Sequence, residues 1–260
     1  MILPIALDIL SAIVQMCVLV AAIRLLGRAN ILLPVAFFTF ALACVLLSTL
    51  YWITFDIIQP GMRMPFAANQ IGELALFLLL AVCLKSVIPL NYYGHGAAVI
   101  ATTLFAVANI ALWIAWSGEW VQDILGGIPF GYLLCITVLC LRQSEALTYK
   151  EQAIIGVLCM VLIITQTSIF FAPDTAKHLL DLFCYSLLFF IGACIILRAL
   201  HSLRTDSPPA ASLSLAFASY AWMTTAMYMS DGGFYLVAFA LVTLCFPLML
   251  HALRKVVTAP

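Results

Sequence analysis

The sequence predicts an all-α fold, a polytopic transmembrane helical bundle of about nine spans with the N-terminus outside and the C-terminus cytoplasmic. Three observations predict it. Of the 260 residues, 66% are hydrophobic and only 8% charged, a composition that would leave large apolar patches in water if the chain were soluble. Apolar stretches of about 20 residues, long enough to cross ~30 Å of hydrocarbon, recur from one end of the chain to the other. The few charges are sorted by sign along the chain, which the formal net charge of zero conceals.

The apolar stretches lie near residues 3–25, 31–55, 66–88, 96–117, 121–142, 151–172, 176–200, 209–230 and 233–253. Their connections are too short for an extramembrane domain, so residues 1–260 are expected to form a single integral membrane domain. Several helix starts carry their own signals. Thr148 and Glu151 have the spacing of a capping box, Pro173 and Asp174 precede the seventh span with Asp174 placed as an N-cap, and Ser207 leads Pro208 and Pro209 into the eighth. The first span has no basic residue ahead of it and meets Arg24 and Arg28 behind it, so it reads as a retained, reverse-oriented anchor rather than a cleaved signal peptide. All nine cysteines fall within apolar runs and none forms a CxxC pair, which makes them small hydrophobes rather than a disulfide or metal framework.

Orientation follows from the basic residues. When nine spans are threaded, Arg24, Arg28, Lys85, Arg142, Lys150, Arg198, Arg204, Arg254 and Lys255 fall on one side and only Arg63 and Lys177 on the other, so the first side is cytoplasmic. Asp8, Asp56, Glu73, Glu119, Asp123, Asp174, Asp181 and Asp231 fall toward the outer side, whereas Glu145, Glu151 and Asp206 fall toward the inner. Aromatic residues mark both interfaces: Tyr51, Trp52, Trp113, Trp116, Trp120, Tyr228 and Tyr235 outside, and Tyr92, Tyr93 and Tyr149 inside. The localisation expected from this pattern is an integral protein of a bacterial-type inner or plasma membrane. An odd number of spans excludes a two-fold duplication of the whole chain. The similar order of charges in spans one and two and in spans seven and eight is what charge sorting alone produces.

Glu73 is the most informative position, because it sits about two turns inside the third span with Asn69 and Gln70 on the same helical side. A carboxyl at that depth must be protonated, paired or hydrated, which makes it a candidate ligand contact; the alternative is a packing hydrogen bond to a neighbouring helix. Asp8 lies about a turn into the first span and can reach the outer headgroups. The fifth span begins at Asp123 and carries Gly126, Gly127, Pro129 and Gly131, a run that should bend or unwind a helix and so wall a cavity. Gly127 and Gly131 also have the GxxxG spacing of a close helix contact. Asp174, His178 and Asp181 share one helical face at a spacing that suits a divalent metal, although acids in a first turn also favour the helix dipole.

Gln15, Asn109, Gln166, Thr167, Ser168, Ser186, Ser219, Tyr220, Trp222, Thr224 and Thr225 lie within spans and are read as interhelical hydrogen-bonding groups. His95, His201 and His251 fall near cytoplasmic ends with nothing to set them face to face across a haem. Neither a cofactor nor a metal is identified. No G-x-S-x-G, H-E-x-x-H, Walker or paired D-x-x-D motif is present, so an intramembrane enzyme would rest only on His178, Asp181 and Glu73. Nucleic acid is not an expected partner.

Two function classes stand ahead of that third one, the enzyme. One is a transport or binding protein that admits a small cation or polar solute into an outward-facing acidic vestibule built from Glu73, Gln70, Asn69, the fifth span and some of the outer acids. The other is a sensor or scaffold subunit that binds a ligand or lipid and acts through a separate membrane-protein partner. The orientation is testable in a cysteine-free background: a single cysteine at position 119 or 231 is expected to react with an impermeant maleimide in intact cells. One at 142 or 204 should react only after permeabilisation, and the reverse pattern would invert the assignment.

Overall fold

The computed structural model describes residues 2–59, 68–90, 95–205 and 207–258. Arg63, Tyr92, Tyr93, Asp206 and the side chain of Asn69 lie outside the described residues. Within them the chain forms nine α-helices: α1 (Ile2–Leu26), α2 (Leu32–Ile58), α3 (Ala68–Val87), α4 (Gly96–Ser117), α5 (Trp120–Gln143), α6 (Tyr149–Ile169), α7 (Asp174–Arg204), α8 (Pro209–Tyr228) and α9 (Gly232–Val257). Eight of them are long and apolar enough to cross a membrane, as an integral membrane protein in contact with a lipid bilayer requires.

The exception, α8, explains the architecture. Every residue from Ala211 to Ala226 is buried, and the helix packs against α9, α7, α5 and α3. A helix enclosed by protein has no need of lipid-facing leucine and isoleucine. It can instead use small residues that let neighbours approach, with hydroxyls that bond within the bundle. Ser214, Ser219 and Thr225 return their hydroxyls to backbone carbonyls one turn back, at 2.8, 2.9 and 3.0 Å. Around α8 the other helices follow one another by contact, α1 with α2, α2 with α3, α3 with α5, α5 with α4, α4 with α6, α6 with α7, and α9 with α1.

Close approaches depend on missing side chains. A Cβ at Gly72 of α3 would stand 2.9 Å from the Cys44 carbonyl oxygen of α2. One at Gly192 of α7 would stand 2.5 Å from Met223 Sδ of α8, beside which Trp222 Nε1 donates to the Leu188 carbonyl at 2.8 Å.

The helix ends agree with the sequence in part. Thr148 and Glu151 form the expected capping box. At α7, however, Pro173 is the N-cap and Asp174 the first helical residue, so the Asp174 carboxylate turns to Lys177 at 2.8 Å instead of capping. Of the bending or unwinding expected of the fifth span, the unwinding is corrected: α5 is helical without a break across Pro129. Gly127 and Gly131 make the close helix contact instead. A Cβ at Gly127 would overlap Ile110 of α4, and one at Gly131 would lie 3.1 Å from Ala106 Cβ.

The Gly72 contact yields a stability test. Gly72→Ala drives a methyl group against backbone that cannot rotate away, so thermal unfolding in detergent should show a loss of about 1–3 kcal/mol. An unchanged midpoint would mean that α2 and α3 are not held this closely.

Candidate functional site

The acid-rich end of the bundle holds a cavity of about 470 Å³, within the size range of small-molecule sites. Each wall can be traced to a helix. From α1 come Asp8, Ser11 and Gln15, from α2 Ser48, Thr49 and Trp52, and from α3 Gln70, Glu73 and Phe77. Helices α4 and α5 supply Trp113, Trp116, Gln122, Asp123, Gly126 and Gly127; α8 and α9 supply Tyr220, Thr224, Tyr228, Tyr235, Thr243 and Phe246. Trp52 and Trp116, 40% and 55% exposed, stand at the mouth.

The chain reverses tightly at this mouth. Gly118 ends α4 at φ +74, a left-handed conformation that glycine adopts without a Cβ clash. The turn brings Ser117 to within 2.5 Å of the Asp123 carboxylate, while the Ser117 hydroxyl accepts from the Glu119 N–H at 2.9 Å. Asp123 is thereby fixed at the rim.

Three carboxylates, Asp8, Glu73 and Asp123, line this one space, and among the described residues no lysine, arginine or histidine does. The ion pairs found among the described residues, Lys177 with Asp174 and Arg198 with Glu151, involve none of the three. Glu73 accepts a hydrogen bond from the Tyr228 hydroxyl at 3.3 Å, and the Tyr228 ring lies 5.2 Å from that of Trp113. One corner of the cavity is therefore a carboxylate flanked by aromatic rings.

The opposite wall is a satisfied polar chain. The Ser11 and Thr243 hydroxyls pair at 2.9 Å, Gln15 donates to Ser11 at 3.0 Å, and Thr49 donates to the Gln15 carbonyl at 3.1 Å. Beside Glu73 the polar atoms are left open. Gln70 Oε1, Trp113 Nε1 and Thr224 Oγ1 are buried without a hydrogen-bond partner, and Thr224 is 1% exposed. Unpaired buried polar atoms are costly, so their gathering on one side of a cavity marks a place for a polar guest.

The floor is apolar. From Tyr235 to Phe246 the lining descends eleven residues of α9, roughly 16 Å at the helical rise and about half the hydrocarbon thickness. Below it Phe38, Leu42, Leu80, Leu84, Phe217, Met249 and Leu253 are fully buried.

The sequence candidates divide accordingly. Glu73, Gln70, Asp8, Asp123 and Gly127 line the cavity; Pro129, His178 and Asp181 do not. His178 and Asp181 are thus separated from Glu73, and no group of three His, Cys, Asp or Glu among the described residues stands close enough to hold a metal ion. Asp181 and Tyr185 line a separate space of about 40 Å³, and the Tyr185 hydroxyl donates to Asp231 at 3.0 Å. Sequence reasoning treated Trp52, Trp113, Trp116, Tyr228 and Tyr235 as interfacial anchors and Gln15 and Thr224 as packing groups, yet all seven face the cavity. Their distance from the membrane centre was legible, whereas the direction each faced was not. Compared with protein-family models, with curated proteins and with solved structures, the chain finds no match.

The two walls predict opposite responses to hydroxyl deletion. Thr243→Val breaks a buried hydrogen bond and should lower stability by about 1 kcal/mol. Thr224→Val removes a hydroxyl that makes no hydrogen bond of regular geometry, with the Tyr220 hydroxyl as a polar neighbour, so the empty protein should unfold at an unchanged or higher temperature. A matching loss in both variants would show that Thr224 has a partner after all.

Proposed function

We propose that the chain is an integral membrane protein that binds a small cationic or polar solute, taken from the outer side, in the cavity beneath Asp8, Glu73 and Asp123. The observation that carries this reading is the lining itself: three carboxylates on three helices, with no basic side chain among the described residues that line it. Such a cavity holds a negative potential in a medium of low dielectric, and a cation entering it offsets the repulsion between the acids. A carboxyl that served packing alone would be fully bonded by neighbouring helices. Among the described residues Glu73 instead has one hydrogen bond, at 3.3 Å, and an open cavity in front of it. The outward orientation rests on the charge sorting, and we assign the protein on the same ground to a bacterial-type inner or plasma membrane, as a single integral membrane domain.

A second reading has an observation of its own. The cavity ends at a packed apolar layer, as a receptor's would, and α8 runs from Thr224 and Tyr228 in the cavity wall to Ser212 and Ser214 at the other end. There Ser212 pairs with Ser202 of α7 at 2.7 Å, and Ser214 pairs with Ser144 after α5 at 3.0 Å. A sensor or scaffold subunit that passes ligand occupancy to a partner chain would use such a rod. Co-purification of one stoichiometric membrane partner favours this reading.

Glu73→Gln separates solute binding from structure, since the amide keeps size and can still accept from Tyr228. The variant should express normally and lose roughly 10-fold or more in saturable cation binding or uptake. If it binds and transports as the parent does, the acidic cavity is not the site and the subunit reading leads.

A further inference from the structure

The cavity's contents narrow the class of ligand, an inference that rests on the cavity being the binding site. An inorganic cation calls for oxygen ligands converging on one point. The carboxylates here are spread over three helices around about 470 Å³, and no three donors of metal-binding type converge among the described residues. Among the described residues an anion would meet three acids and no base.

The side chains around Glu73 specify more. Tyr220, Thr224 and Tyr228 recur every fourth residue and so form one stripe of α8. Tyr228 reaches Glu73, Trp113 stacks at an angle against Tyr228, and Gln70 lies one turn before Glu73 on the same side of α3. Aromatic faces beside a carboxylate attract an organic cation through the ring quadrupole. Two unpartnered acceptor atoms, Gln70 Oε1 and the 1%-exposed Thr224 Oγ1, stand ready for donors on the same guest. A quaternary ammonium has no N–H to give them, and a primary or secondary ammonium does.

We propose that the cavity binds an organic amine, with its primary or secondary ammonium at Glu73 beside Trp113 and Tyr228, its N–H groups donating to Gln70 and Thr224, and its apolar body against Phe77 and Phe246. The unpaired Trp113 N–H is then available to an acceptor on the same molecule.

The test uses the full chain in nanodiscs, with empty nanodiscs as the control for lipid partitioning. Isothermal titration compares 2-phenylethylamine, its N,N,N-trimethyl derivative, the neutral 2-phenylethanol, and sodium and calcium chlorides. Saturable 1:1 binding of the amine is expected, roughly 10-fold weaker for the trimethyl derivative and roughly 100-fold weaker for the alcohol. Thr224→Val should weaken the amine roughly 5-fold and Glu73→Gln by more, whereas Asp174→Asn, outside the cavity, should leave it unchanged. The ligand series on the unaltered protein decides the matter even if a variant fails to fold. Equal binding of the trimethyl compound or the alcohol overturns the amine assignment, as does amine binding indifferent to both cavity variants. Inorganic cations that bind alone, and are lost in Glu73→Gln, overturn it while leaving the cation-binding cavity standing. No saturable binding by any probe overturns both.

Discussion

Hydrocarbon solvates no polar group, and that constraint arranges the rest of the molecule. Every hydroxyl, amide and carboxyl on a spanning helix must bond to its own backbone, meet a partner on another helix, or face water. All three solutions are in use here. Ser186 and Thr165 take the first, bonding to carbonyls four residues back at 2.7 and 2.8 Å. Ser11, Gln15, Thr49 and Thr243 take the second in a chain that ties α1 to α2 and α9. Asp8, Glu73 and Asp123 open onto the cavity, the third solution, although Glu73 also accepts from Tyr228 of α8 and Asp123 from Ser117.

The same constraint makes α8 the centre. Its composition is too polar for lipid, with three serines, two threonines, two tyrosines and a tryptophan in 20 residues. It can cross only inside a sleeve of other helices, which α3, α5, α7 and α9 supply. Apolar surface then turns outward on the remainder, with Leu47, Ile128, Phe190 and Leu197 between 61% and 67% exposed, as lipid-facing side chains are.

Much of this was legible in the sequence because it depends on one-dimensional properties. Span positions follow from hydropathy, and the capping box at Thr148 and Glu151 follows from spacing; eight of the nine spans and the capping box agree with the structure. The depth of Glu73 followed from its count of residues into α3. Pairing between distant helices did not. Tyr228 reaches Glu73 across 155 residues of chain, and no local pattern announces that contact. Position alone could not tell Trp113, whose ring meets Tyr228 and Phe130, from a headgroup anchor such as Trp120, which is 63% exposed. The glycine-rich start of α5 misled for a related reason. Glycine and proline weaken a helix when nothing supports it, but here α4 packs into the gap that the missing Cβ atoms leave, so the contact stabilises the helix that composition would weaken.

The apolar floor separates what binding requires from what transport would require. A solute held at Glu73 touches α3, α4 and α8 and need disturb nothing below Phe246. Passage to the other side would have to part a layer in which Phe38, Leu42, Leu80, Leu84, Phe217, Met249 and Leu253 belong to four helices and are fully buried, and close-packed interiors rearrange between discrete packings rather than yielding by degrees. Two of those residues bracket the central rod: Phe217 is on α8 itself, and Met249 is on α9, which packs along it. A transport cycle therefore has to move α8 against its sleeve, while a receptor needs only a small shift of the same helix, felt at Ser212 and Ser214. Both mechanisms pass through α8, and they differ in whether its hydroxyl pairings with Ser202 and Ser144 break or merely transmit strain.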